Sequence, residues 1–248
     1  MESFNKIISL GNTCVPAEQI RCKYFNDKTS VQFYDSKLFL SNEYPHGSFL
    51  FDWLQCPVQS LIKVLESDFE GIFELEDMQI GKRIDGKRCV AKNHKYGINF
   101  PHLTTGGSPL ITRHIFKWKQ SRIEAWADFE SIYEKLKVKY DYLTKKTRDL
   151  FYSEMDILFV VHKDKVYPDS TIDIYTKLYD ILKKFPCNPK LLVTSANPKI
   201  LQGDGKFDNI FFRSVEQHGI WEPKKDCKSW LSAMRDFQFR DLNNEQPV

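Results

Sequence analysis

The chain has 248 residues, 42% hydrophobic and 14% aromatic, enough for one large core or two small ones. Charged residues make up 28%, yet the net charge is only +3, so nothing in the charge asks for nucleic acid as a partner. No apolar stretch reaches the length of a membrane span, and the opening MESFNKIISLGN, with an acid at position 2 and a short apolar run, predicts no signal peptide.

Residues 6–10 predict a short buried strand and Gly11 to Thr13 a tight turn. A helix pattern follows, with Ala17, Ile20 and Tyr24 on one face and Pro16 tolerated in the first turn. Residues 26–48 are polar and turn-rich and predict a surface loop, with a short strand around 31–34. Pro57 starts a second helix on Val58, Leu61, Ile62 and Leu65, its apolar face extended by Phe69, Ile72 and Phe73. Residues 81–102 predict a β-hairpin turning at Tyr96-Gly97, and TTGGSP at 104–109 a loop. Trp126, Phe129, Ile132, Tyr133 and Leu136 predict a long amphipathic helix or a helix pair over 120–150.

The last third changes character. MDILFVV (155–161), KLLVTS (190–195) and FDNIFF (207–212) predict strands, and Ile172, Tyr175, Leu178 and Leu182 line a helix over 171–185. Strand, helix, strand at this spacing predicts a βαβ unit with parallel pairing and a right-handed crossover. The expected fold class is α/β, a mostly parallel sheet with helices on both faces and a C-terminal βαβ unit. It forms one domain over 1–240, with an N-terminal part at 1–150, the βαβ part at 151–240 and a frayed tail at 241–248.

Six cysteines, at 14, 22, 56, 89, 187 and 227, have neither C-x-x-C pairing nor zinc-ligand spacing. They read as the reduced thiols of a cytoplasmic protein, with no metal and no cofactor expected. Cys14 differs from the others because strand, turn, cysteine and helix follow one another. Unpaired N–H groups and the positive end of a helix dipole stabilise a thiolate, and with Asn12 they supply donors for an oxyanion. The alternative is a small residue buried at a strand–helix corner. A working thiol needs a base. His102, after the strand YGINF, and His162, at the carboxyl end of DILFVV, are equally placed for it. Asp52, in FDWL, either caps the helix that follows or orients a histidine.

The order ISLGNTC-x-PA, FDWL, DFEGIFE and KYGINFPH resembles the DUF1796 family, described as papain-like cysteine peptidases, over residues 5–215. Leu50 stands where that family has proline, and Ile8 where papain-type enzymes carry glutamine. The resemblance implies Cys14 as nucleophile, His102 as base and Asp52 as a motif residue. The expected activity is thiol-dependent hydrolysis or acyl transfer on a peptide or other amide substrate. Two other classes fit parts of the chain. One is a glycosyltransferase-like transferase using His162, Asp164, Ser195 and Asn197 at the carboxyl edge of the sheet. The other is a non-catalytic interaction module with the FDW aromatics in its core.

Overall fold

The chain opens with two short strands, β1 (Glu2–Phe4) and β2 (Lys6–Ser9), broken only at Asn5, and passes through Gly11 into α1 (Val15–Tyr24). A 3-10 turn at Leu50–Trp53 precedes α2 (Val58–Glu66). Strands β3 (Met78–Lys82), β4 (Cys89–Asn93) and β5 (Ile98–Phe100) follow, then α3 (Arg122–Glu130) and α4 (Tyr133–Phe151). The last third holds β6 (Asp156–Lys163), α5 (Ile172–Leu182), β7 (Asn188–Ser195), β8 (Ile210–Ser214), α6 (Pro223–Ala233) and β9 (Phe237–Phe239). This computed structural model describes residues 2–11, 15–24, 49–82, 89–101, 103, 116, 119–163, 171–216 and 223–240.

The central sheet is all parallel, in the order β2-β6-β7-β8. β6 and β7 are near-continuous apolar runs because both faces of the sheet are covered. Ile157, Phe159 and Val161 face a cluster that includes residues of α2, α4 and α5. Leu158 and Val160 face a second cluster with Val15 and Ile20 of α1 and Trp230 of α6. The protein is therefore α/β, with an all-parallel central sheet. β1 pairs with β9, also in parallel, and β3-β4-β5 form a separate antiparallel sheet.

Several local expectations shift. The second helix stops at Glu66, because Asp68 and Phe69 take left-handed backbone (φ 52° and 67°) that a right-handed helix excludes. Phe69, Ile72 and Phe73 still enter the core, but from the turn. The region 120–150 is a helix pair, its first member capped by Ser121 Oγ, which accepts from Glu124 N–H at 3.2 Å. The third strand lies at Ile210–Ser214 rather than 207–212. The hairpin turns at Tyr96-Gly97, where Gly97 has φ 79° and Tyr96 N–H donates to Asn93 Oδ1 at 2.8 Å. The loop at 26–48 and the tail at 241–248 lie outside the described residues.

Candidate functional site

Residues from three separated motifs meet at the carboxyl end of β2. Gly11 has φ +83°, a conformation glycine adopts without strain. Its N–H donates to Ser9 Oγ at 3.1 Å. A Cβ built there would stand 3.1 Å from the carbonyl oxygen of Phe51 and 3.4 Å from Cys56 Cβ, so the FDWL turn closes directly over this glycine. Two residues past that turn, Gln55 exchanges both backbone hydrogen bonds with Asn99 of β5, each 3.0 Å. The strand leading to His102 is thereby tied to the turn covering Gly11. From the other side, Leu50 N–H donates to Thr147 Oγ1 of α4 at 2.9 Å.

β2 is the end strand of this sheet, with β6 beside it. α1 follows β2 and packs on one face; α5 follows the neighbouring strand β6 and packs on the other. The carboxyl ends of the strands are the usual place for a site in an open parallel sheet. Ser9 pairs with Val160, and Leu10 N–H donates to Val160 O at 2.9 Å.

His162 is fully buried (0% exposed) on the α1 and α6 face. Its Nδ1 lies 3.0 Å from Thr194 Oγ1 on β7, and its ring is 5.4 Å from that of Trp230. Thr194 and Trp230 were not among the expected site residues. Their signal was slight: a hydroxyl closing an apolar strand, and one tryptophan in a lysine-rich helix.

Asp52 is buried too (3% exposed), but it does not cap α2, whose N-cap is Pro57. Its Oδ2 accepts the N–H of Phe49 at 3.0 Å and so closes the 3-10 turn it belongs to. Ser195, at the end of β7, accepts from Asn197 N–H at 3.1 Å, and Asn197 Oδ1 accepts from Lys199 N–H at 3.0 Å. These two shape the turn into the following 3-10 stretch. Cys14, Asn12, His102 and Asp164 lie outside the described residues. Three other thiols are buried: Cys56, Cys89 and Cys187. Burial pushes the Cys56 thiol far up and that of Cys187 to about 11, so neither supplies thiolate near neutrality.

Among the described residues no cluster of three or more histidine, cysteine or acidic side chains is arranged to hold a metal ion, and no helix is long and apolar enough to cross a membrane. No family model, curated protein or solved structure matches the chain.

Proposed function

We propose that the protein is a thiol-dependent hydrolase or acyl transferase acting on a peptide or other amide, with Cys14 as its nucleophile. The observation that supports this reading is the FDWL turn closing over Gly11, with the YGINF strand tied to that turn through Gln55 and Asn99. The resemblance to the DUF1796 family supports the same assignment. The segment β6–α5–β7 fits a right-handed βαβ crossover, which would set the carboxyl edge of β6 beside that corner.

The chemistry balances without a cofactor. A histidine takes the proton of the Cys14 thiol, and the thiolate sulfur bonds to the substrate carbonyl carbon. Backbone N–H groups at the start of α1, with Asn12, hold the oxyanion. The carbon–nitrogen bond breaks as the imidazolium returns its proton to the leaving amine. Water, or another acyl acceptor, then releases the thioester. A cytoplasmic, reducing setting suits such a thiol.

Timed iodoacetamide labelling of the folded protein, mapped by peptide mass spectrometry, tests this. Cys14 is expected to label well ahead of Cys56, Cys89 and Cys187, and Cys14→Ser to abolish the fast phase. Labelling of Cys14 no faster than that of a free peptide thiol would sink the reading. The transferase alternative gains nothing from Ser195 and Asn197, whose polar atoms serve the turn after β7.

A further inference from the structure

We infer that the cavity at the amino ends of β6 and β7 is a binding site for a small primary amine, whose ammonium is taken by Glu2 and Asp156. The cavity lies at the opposite end of the strands from Gly11 and serves no part of the thiol chemistry.

The break at Asn5 shapes this cavity. β2 stays paired with β6, while β1 leaves to pair with β9. Between β1 and the starts of β6 and β7 lies a space of about 250 Å3, lined by Glu2, Ser3, Phe4, Asp156, Asn188 and Lys190. At ~30 Å3 for each water of the liquid, that is room for roughly eight waters, or for a ligand of similar bulk. The Glu2 and Asp156 side chains are 40% and 35% exposed, so the cavity is reached from solvent.

Its walls carry both signs of charge, but acceptors are in surplus. Lys190 Nζ pairs with Glu2 Oε1 at 2.8 Å. Glu2 Oε2 is buried and, among the described residues, has no hydrogen-bond partner. A covered carboxylate oxygen without a donor is destabilising, and a ligand N–H removes that penalty. Asp156 is held firmly. Its N–H donates to Asn5 Oδ1 and its carbonyl accepts from Asn5 N–H, each at 2.9 Å. Its Oδ1 accepts from Asn188 Nδ2 at 2.7 Å. Arg240 Nη1 stands 3.8 Å from its Oδ2, beyond hydrogen-bond reach.

One oxygen of each carboxylate is thus left to accept. An ammonium brings three N–H donors and a positive charge, and hydrogen bonds of this charged kind are the strong ones. The Lys190 ammonium already meets Glu2 in this way. Phe4 offers an apolar wall to a short carbon chain. A hard metal ion fits less well, because it seeks about six oxygen ligands and an ammonium already sits on Glu2.

The test is titration of the untagged full chain with n-butylamine at pH 7, followed by 1H–15N amide spectra. Saturable shifts are expected at residues 2–4, 156–157 and 188–190. 1-Butanol, with the same chain and no charge, should give none. Glu2→Gln and Asp156→Asn should each weaken binding about tenfold or more, the loss of a charged hydrogen bond. Lys190→Gln frees Glu2 Oε1 and removes a competing ammonium, so it should tighten binding about two- to fivefold. A variant that fails to fold cannot bind more tightly, so this last change separates lost contacts from a lost fold. Absence of saturable shifts, equal shifts with 1-butanol, or unchanged affinity in both carboxylate variants overturns the site. Displacement of the amine by an equal concentration of Mg2+, or tighter binding of glycine than of n-butylamine, overturns the amine class.

Discussion

Gly11 concentrates two constraints at one residue: a left-handed backbone and a tight 3.1 Å approach of any Cβ to the Phe51 carbonyl oxygen. Gly11→Ala is expected to cost about 1–3 kcal/mol, read as a lower urea midpoint, because strained φ and a tight backbone contact add. A second residue-scale prediction concerns Cys187, whose thiol is raised by burial to about 11. The unfolded chain loses this proton at lower pH than the folded one. The resulting stabilisation is whole below the ordinary thiol range and shrinks as pH rises toward 11. Stability measured between pH 8 and 11 should fall less steeply in Cys187→Ala than in the wild type (~ one titrating thiol fewer). At this scale the sequence was informative at Gly11, where a turn after an apolar run called for glycine, and not at Asp52, which closes its own 3-10 turn instead of capping α2. Thr194 was invisible because a threonine ending a V-T-S strand is also an ordinary β-former, and only cross-strand register reveals what it touches.

Edge strand β8 shows how an element is finished by side chains. Phe212 N–H turns away from β7 and donates to Asp204 Oδ1 at 3.3 Å; Phe212 O accepts from Arg213 Nη1 at 3.0 Å. Arg213 also bonds Asp204 at 2.6 Å, so both outward backbone groups of Phe212 are occupied. An edge left open recruits other strands. Asp204→Ala should raise self-association relative to wild type in sedimentation velocity runs, and Asp204→Asn, which keeps an acceptor oxygen, should do so less. Equal behaviour of the two variants and the wild type would remove this role. Elements differed in legibility for physical reasons. β6 and β7 announce themselves as long apolar runs covered on both faces. β1 (ESF) and β9 (FQF) are three residues each, too short for any period to show.

For the whole molecule, the α/β class was legible because the last third spells out strand, helix and strand with no competing pattern. The joining of the two ends was not. Glu2 pairs with Phe237 and Phe4 with Phe239, and Arg240 N–H donates to Phe4 O at 2.8 Å. Phe237 is buried, with its ring 6.0 Å from Phe4 and 5.0 Å from Phe211. Phe237→Ala should destabilise the protein by about 3–5 kcal/mol in equilibrium denaturation, since it empties a site packed from β1 and β8 together. A loss below 1 kcal/mol would mean that this seam contributes little (about the level of an ordinary surface substitution).

The β1–β9 seam also sets an order of events during synthesis. β1 is made long before its partner β9, so its pairing edge stays open while the central sheet emerges. A nascent chain stalled before residue 237 should remain more open to protease near residue 2 than a chain that extends past β9.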